Sequence, residues 1–226
     1  MKSLESRFEV TADNLANLET SGHKRLVAST EGYSADSFAA QLDAAKSNAG
    51  LTRDYSQGEL VVDDDPSSVA LDGEGFFALE KDGQLLYERA LRLEKDATGS
   101  LVDQHGVSIL GESGPIRAGD SLAKIEIDRD GTVKADNAVV GKMRVVTFVE
   151  PQKLEAVEGG LYRAPDDAEV VSAGDVQVRQ GARERSNTDV VRELVELIVV
   201  QRQYQSAQRA LAVESELRQR LNEMAS

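Results

Sequence analysis

The sequence contains no cysteine and no tryptophan, and aromatic side chains make up only 4% of its 226 residues. The absence of cysteine excludes disulfide bonds and thiol chemistry, although it leaves the cellular compartment open. The chain has two histidines, His23 and His105, and each lies beside a glycine in a predicted turn. Because neither has partners at the spacing that a catalytic or metal site needs, we predict no enzymatic activity, no metal and no cofactor.

Long apolar runs and basic clusters are also missing. The first ten residues alternate charged and apolar side chains, so we expect no cleaved leader and no membrane insertion. Thirty acidic and seventeen basic residues give 31–185 a net charge of −13, out of −14 for the whole chain. With acidic residues in the middle, near-neutral ends and no basic stripe, we expect no nucleic-acid partner.

The N-terminal segment shows helical periodicity. Apolar side chains spaced by three and four residues predict a helix of about 18 residues, which is too short to be stable alone in water. The sequence TSGH at 20–23 offers a stop for this helix, with Gly22 just after its end. The predicted stripe consists of Leu4, Phe8, Thr11, Leu15 and Leu18.

The C-terminal segment 186–226 contains neither glycine nor proline and predicts a single helix of about 38 residues. Ser186 and Asp189 resemble a capping box at its start. We expect its apolar stripe to pack on the N-terminal helix as a coiled coil, while the far end of the stripe packs on other subunits. The predicted stripe and its continuation consist of Val190, Leu194, Leu197, Tyr204, Ala207, Leu211, Leu217, Leu221 and Met224.

Asn14 and Asn17 lie near the end of the first predicted helix. Two interpretations are open for these amides. They can cap the helix or bond to local backbone, as asparagine often does. Alternatively, they can bond across the seam between the two helices and fix its register.

Between the two ends, apolar side chains recur at every second position and no longer at every third or fourth. Glycine-containing turns separate many short strand candidates there. This pattern predicts an α+β chain with a mainly-β central domain, either a sandwich or an irregular barrel. The expected division is an N-terminal helix in 1–30, a linker in 31–54, a β-rich domain in 55–180 and a C-terminal helix in 181–226. Within the linker, the alanine-rich stretch 36–50 is open to two interpretations, a helix or an irregular segment.

The stretch LDGEGFFAL contains Gly73 and Gly75 in a G-x-G pattern. A dinucleotide fingerprint would need a third glycine and a following helix, but Ala78 takes that position and the sequence then alternates as a strand does. We therefore predict a tight turn that leads into a strand with Phe77 facing the core. The acidic run at 63–65 precedes a proline and fits an exposed turn better than a calcium loop.

Several of these segments resemble the motifs of flagellar rod and hook proteins. TADNLANLETSGHKR, 11–25, is similar to T-A-N-N-L-A-N-x-x-T-x-G-F-K, with departures at Asp13, Glu19 and His23. RQGARERSNTDVVRELVELIVVQRQYQSAQRA, 179–210, resembles Q-G-x-L-E-x-S-N-V-x-V-V-E-E-M-V-x-M-I-x-x-Q-R-x-Y-E. YSQGELVVDDDPSSVALDGEGFFAL, 55–79, and YERALRLEKDATGSLVDQHGVSILG, 87–111, match the family segments between them, so the resemblance covers nearly the whole chain.

This resemblance implies a structural subunit of the bacterial flagellar basal-body rod, of the proximal or distal type. In that family the terminal helices pair in an inner domain and the central segment forms a β-rich outer domain. The expected partners are copies of itself, neighbouring rod and hook proteins, and the flagellar export apparatus, which passes subunits to the periplasmic rod without a cleaved signal. No small-molecule substrate is expected.

The sequence departs from the family at its start. Family members carry a further apolar stretch before the matched helix, whereas this sequence begins inside that helix, so the expected helix pair is asymmetric. The alternative interpretation of the whole chain is a non-flagellar binding module, in which a β-domain is carried on a coiled-coil oligomerisation stalk.

Overall fold

The computed structural model describes residues 2–28, 51–119, 124–157 and 159–224. The chain divides into two compact units. The helical unit comprises 1–18, 25–54 and 188–226, and the β unit comprises 19–24 and 55–187. The stretch 36–50, for which a helix and an irregular linker are both open, lies outside the described residues. The segment 19–24, which we predicted to belong with the N-terminal helix, is instead part of the β unit.

Within the described residues, two α-helices are present, both in the helical unit: α1, Lys2–Ala16, and α2, Val190–Met224. The prediction of a mainly-β chain with one helix near each end is confirmed. A three-residue 3-10 helix spans Pro151–Lys153. No helix in the described ranges is both long and apolar enough to cross a membrane.

The ends of the two helices differ from the sequence prediction. Helix α1 stops at Ala16, so Gly22 does not cap it but lies in a later turn with a φ of 68°. Helix α2 begins after Asp189, whose Oδ1 accepts the backbone N–H of Val191 at 2.9 Å. Asp189 is therefore the N-cap, not the third residue of a capping box begun by Ser186, because its carboxylate satisfies N–H groups that the first turn leaves open.

The strands are short and their pairs are antiparallel. In chain order they are β1 Leu26–Ala28, β2 Leu51–Arg53, β3 Leu60–Val62, β4 Ser68–Asp72, β5 Phe76–Lys81, β6 Gln84–Glu88, β7 Ala90–Arg92, β8 Glu94–Lys95, β9 Leu101–Val102, β10 Ser108–Gly111, β11 Gly114–Pro115, β12 Ile125–Ile127, β13 Thr132–Ala135, β14 Ala138–Lys142, β15 Val145–Phe148, β16 Glu155–Ala156, β17 Tyr162–Arg163, β18 Val170–Ser172, β19 Gln177–Gln180 and β20 Ala182–Glu184.

The largest sheet of the described residues has the order β16-β17-β6-β5-β10-β9-β8. Strand β11 also pairs with β10, strand β15 with β5, and β18 with β15. Smaller sheets have the orders β12-β13-β14, β19-β4-β7 and β20-β3, and the helical unit contains the ribbon β1-β2. The β unit is thus a set of sheets joined by tight turns, which is what many short, glycine-punctuated strands predict.

Strand β5 lies at the centre of the β unit, and both of its faces are buried. Phe77 and Leu79 are fully buried in the main apolar cluster, where the period-two pattern places them. Phe76 points the other way into a second cluster, where its ring packs edge-on against Phe148 and Tyr162 with centroid distances of 5.7 Å. The two adjacent phenylalanines of β5 therefore pack in two different apolar clusters, one on each face of the strand.

Candidate assembly interface

Helices α1 and α2 pack against each other in the helical unit, and polar contacts fix their alignment. The Arg7 guanidinium on α1 forms an ion pair with Glu196 on α2 and also donates to Oε1 of Gln203 at 3.3 Å. Between these polar contacts Val200 is almost fully buried. The predicted packing of the terminal helices is thus present, while coiled-coil geometry stays a prediction.

A second ion pair lies deeper in the helical unit. Glu193, in the first turn of α2, is 1% exposed and accepts a hydrogen bond from Nε of Arg25 at 2.6 Å. The pair joins α2 to the chain just before β1. A buried carboxylate needs such a partner, because desolvation of an unpaired charge costs several kcal/mol.

The side of α2 that faces α1 agrees only in part with the stripe that the sequence predicts. Val190 and Leu194 were expected in the seam, but they are 45% and 46% exposed. On α1, Phe8 is 42% exposed although it belongs to the predicted stripe. The buried side of α2 instead passes through Glu193 and Val200, because the ion pairs turn that side of the helix inward. The predicted residues that are half-buried are Leu4, Leu15, Leu18, Leu197, Tyr204 and Ala207.

For the C-terminal part of the predicted stripe, the structure describes the exposure of only some side chains. Leu217 is 56% exposed in the subunit, in agreement with an end that α1 does not cover. The side chains of Leu211, Leu221 and Met224 lie outside the described part of the structure, although the helix backbone passes through all three positions.

The two asparagines of α1 behave differently. Asn14 is fully buried and uses both ends of its amide on Leu26: Nδ2 donates to the Leu26 carbonyl at 2.8 Å, and Oδ1 accepts the Leu26 N–H at 2.7 Å. Asn17 bonds locally, since its Nδ2 donates to the carbonyl of Asp13 at 2.9 Å. Asn17 therefore bonds to local backbone, as the first interpretation expects. Asn14 instead connects the helix to β1.

Helix α2 carries a second apolar surface on the side away from α1. We call it the proximal patch, because it occupies the first three turns of the helix. Each of its side chains is at least one-third exposed, although each is a large aliphatic group. A large contiguous apolar surface is uncommon on a monomeric protein and usually marks a contact with another protein. The proximal patch consists of Val190, Val191, Leu194, Val195, Ile198 and Val199.

Further along α2, exposed glutamine, arginine and serine side chains replace this surface from 201 to 209, except where the helix faces α1. Apolar exposure returns with Val213 and Leu217, one turn apart, which we call the distal patch. At 1.5 Å per residue, the 35 residues of α2 span about 52 Å, and the 15 residues of α1 about 22 Å. The distal patch lies beyond the part of α2 that packs on the described residues of α1.

An open groove of about 500 Å³ separates α1 from α2 near the start of α1. Its floor is apolar, and its charged lining residues are both glutamates on α1. The lining consists of Leu4, Glu5, Phe8, Glu9, Val200, Gln201, Tyr204 and Gln205.

In the β unit, the G-x-G loop binds a side chain of its own chain. The carbonyl oxygens of Gly73 and Gly75 both accept hydrogen bonds from Nη1 of Arg89. Phosphate loops present N–H donors to an anion, whereas this loop presents acceptors to a cation. Gly73 has a φ of 121°, and a Cβ on Gly75 would lie 3.1 Å from Cγ1 of Val145. Both glycines are therefore needed for the turn and its packing.

Arg89 continues into a buried ion network that the sequence did not reveal. Glu184 is fully buried, accepts a hydrogen bond from Nζ of Lys24 at 2.6 Å and one from Nε of Arg89 at 3.0 Å. Its Oε1 also accepts the Gly58 N–H at 2.8 Å. The network ties together four segments of the β unit that are far apart in sequence. The sequence shows only that charged residues lie between apolar positions of the strands. This pattern does not tell which charged residues form ion pairs with each other.

Comparisons with known proteins match both the β unit and α2. A family model described as the flagellar hook protein FlgE/F/G D1 domain matches 70–135, and one described as the flagellar basal body rod FlgEFG protein C-terminal matches 179–224. The flagellar basal-body rod protein FlgF of Caulobacter vibrioides is 29% identical, over 95% of this chain and 90% of that protein. The chain is thus similar to flagellar basal-body rod proteins over nearly its whole length, in agreement with the expectation from its motifs.

Further rod proteins align over a similar extent. FlgG of Agrobacterium fabrum is 28% identical, over 96% of this chain and 93% of that protein. FlgG of Bacillus subtilis is 25% identical, over 98% of this chain and 94% of that protein. Since rod proteins of both the FlgF and FlgG types match at similar identity, the comparison supports a likeness to rod proteins and does not favour one of these types.

Proposed function

We propose that this chain is a structural subunit of the bacterial flagellar basal-body rod, which polymerises helically through its terminal helices. One observation carries the proposal: a chain that aligns with rod proteins over more than nine-tenths of its length has the proximal patch exposed on α2. The role is mechanical and involves no catalytic step. Its partners are further copies and neighbouring rod and hook proteins.

The location that follows is the periplasmic rod. The flagellar export apparatus delivers the subunit there without cleavage of a signal. The acidic β unit fits this role, because like charge keeps unassembled subunits apart in solution. The proximal patch, by contrast, gains from burial at about 25 cal/mol per Å² of apolar area once subunits meet.

The proposal is tested by replacing the chromosomal gene in the source bacterium with one that encodes an epitope-tagged chain. Purified basal bodies should contain the tagged chain, and gold-labelled antibody should mark the rod in electron micrographs. Deletion of the gene should abolish motility and leave incomplete rods. If basal bodies lack the chain and the deletion strain keeps normal rods, the rod assignment is wrong and the non-flagellar binding module is favoured.

A surface variant separates assembly from folding. Val195→Asp places a charge in the proximal patch, at a side chain that is more than half exposed in the subunit. We expect the free energy of unfolding to change by less than about 0.5 kcal/mol, since no buried group is altered, while motility is lost. The matched control is Gln208→Asp, an equal change of charge at an exposed polar position of the same helix. Full motility of the Val195→Asp strain would contradict a role for this patch.

A further inference from the structure

Two buried carboxylates, Glu88 on β6 and Asp103 just after β9, lie near each other in the β unit. Glu88 is 4% exposed and Asp103 is fully buried. Among the described residues, Oε2 of Glu88 and Oδ2 of Asp103 are buried atoms without a hydrogen-bond partner. The other oxygen of Asp103 accepts the N–H groups of His105 and Val107, which fix this carboxylate in a tight turn. Because buried polar atoms are nearly always bonded, the two free oxygens indicate a further partner.

Glu88 also lines a polar cavity of about 320 Å³ in the β unit. Hydroxyl and amide side chains supply further oxygen atoms around this cavity, namely those of Thr20, Ser21, Ser68 and Gln104. The chain has no cysteine, and none of the described lining residues is a histidine. The available ligand atoms are therefore oxygens, which bind hard cations such as Ca²⁺ and Mg²⁺ in preference to Zn²⁺ or Cu²⁺.

We propose that a calcium ion binds between Glu88 and Asp103, on the Glu88 side of this cavity. A divalent ion balances both carboxylates, whereas a monovalent ion leaves one buried negative charge uncompensated. Calcium fits better than magnesium, because it accepts irregular sets of carboxylate, carbonyl and water oxygens, while magnesium demands a near-ideal octahedron. The sequence-based expectation was no metal, because no ligand motif is present. This inference does not depend on the proposed function.

The other charged groups around the cavity leave it acidic. Glu19 and Asp63 line it together with Arg92 and Arg183. Arg92 pairs with Asp65 at 3.0 Å, so its charge is offset, and Arg183 is exposed. In the described ranges, no group of three or more Asp, Glu or His side chains is arranged to hold a metal. The ion thus has two charged ligands and neutral oxygens in its other positions, for which a Kd of about 10⁻⁴–10⁻³ M is expected.

Protons compete with the ion for Glu88. Burial, and then the charge of Asp103, raise the pKa of Glu88 to about 9, so the ion must displace a proton at neutral pH. Ordinary surface carboxylates are already ionised there and release none. The apparent affinity should therefore fall by about tenfold for each pH unit below this pKa. The ring of His105 lines another cavity, beside Lys81 and Asp82.

Calorimetric titration of the full chain with CaCl₂ tests the site directly. The protein is first freed of metal with EDTA, exchanged into chelator-free buffer and held in about 0.1 M NaCl to screen its acidic surface. We expect one ion to bind per chain at pH 8. At pH 7, titrations in buffers of different ionisation enthalpy should show release of about one proton per ion. No binding, or binding without proton release, would overturn the proposal, because the latter marks ions held only by surface carboxylates.

Two substitutions locate the ion. Glu88→Gln and Asp103→Asn each remove one charged ligand at nearly constant size, and the asparagine keeps an oxygen acceptor for its turn. Each should weaken calcium binding by at least about tenfold, because affinity depends on the number of charged ligands. The matched control is Glu74→Gln, which removes the same charge at an exposed position and should bind calcium as the natural chain does. Equal affinity in all three variants would overturn the assignment.

Thermal unfolding of the natural chain gives a test that needs no variant. In EDTA, the stability contributed by protonated Glu88 is lost as the pH rises toward its folded pKa of about 9. Calcium binds the ionised form, so about 10 mM CaCl₂ should raise the melting temperature more at pH 8 than at pH 6. An equal rise at both pH values would contradict the site. MgCl₂ at the same concentration should have a smaller effect, and a larger one would overturn the choice of calcium.

Discussion

Glu88 should make the β unit less stable as the pH rises. It lies on β6 directly opposite Phe77 of β5, so its side chain points toward the main apolar core and is only 4% exposed. Nearby Asp103 is fully buried, and its Oδ1 accepts the N–H of His105 at 2.9 Å and of Val107 at 2.7 Å. Among the described residues, Oε2 of Glu88 and Oδ2 of Asp103 have no hydrogen-bond partner.

Burial, and then the negative charge of Asp103, raise the pKa of Glu88 from 4.5 to about 9. The folded chain therefore holds a proton at Glu88 that the unfolded chain releases between these two pH values. For an acid with a raised pKa, the stabilisation is complete below the unfolded pKa and is lost as the pH rises toward the folded one. One such proton changes the free energy of unfolding by about 1.4 kcal/mol per pH unit, or about 3 kcal/mol between pH 6 and pH 8.

Glu88→Gln replaces the protonated acid with a neutral group of nearly equal size. Urea unfolding of the full chain at pH 6, 7 and 8, followed by near-ultraviolet circular dichroism of the core tyrosines, gives the free energy of unfolding. The variant should lose the downward slope due to Glu88, and its advantage over the natural chain should grow with pH. Glu94→Gln, at an exposed position of β8, is the matched control and should keep the slope. If Glu88→Gln leaves the slope unchanged, Glu88 is ionised in the folded chain and the argument fails.

Three further predictions concern the ion network and the helices. Glu184→Gln removes the charge between two buried cations and should cost about 3–5 kcal/mol of unfolding free energy in urea, whereas Glu59→Gln, in an exposed ion pair, should cost less than about 1 kcal/mol. Val200→Asp should lower the hydrogen-exchange protection of α1, because Val200 is buried between the helices. Leu194→Asp, on the exposed side of α2, should leave that protection unchanged. An equal loss of protection in both variants would refute the observed seam. Deletion of 215–226 should abolish motility while the β unit melts at nearly the same temperature, and intact motility or an unfolded subunit would rule out an assembly role for this segment.

The sequence predicts local features of this fold well. Around β5, alternation alone places Phe76 and Phe77 on opposite faces, because successive side chains of a strand must point in opposite directions. It also predicts that Gly73 and Gly75 form a turn and not a phosphate loop, since no third glycine or helix follows. These features depend only on residues that are close together in the chain, and a single sequence shows those residues directly.

Choosing the seam of α2 requires information from distant segments. In its first turns the helix has aliphatic side chains on most sides, so the apolar pattern offers more than one candidate stripe. Arg7 and Arg25 settle the choice by pairing with Glu196 and Glu193, which are 189 and 168 residues away in sequence. Glu184 was missed for the same reason, since a glutamate in a short strand ordinarily faces water.

In the helical unit several polar side chains are buried while several large aliphatic side chains are exposed. Glu193, Thr11 and Asn14 are buried, while Val191 and Val195 are more than half exposed. Burial of these polar groups is tolerated because the glutamate is paired and the asparagine amide is bonded at both ends. Specific polar contacts thus fix how the two helices align, and the apolar surface of α2 is left over. In a chain that functioned alone, burial of those valines within the chain would increase its own stability. In a subunit that assembles, the valines stay exposed until they contact a neighbouring subunit. The free energy of their burial then stabilises the polymer and not the isolated chain.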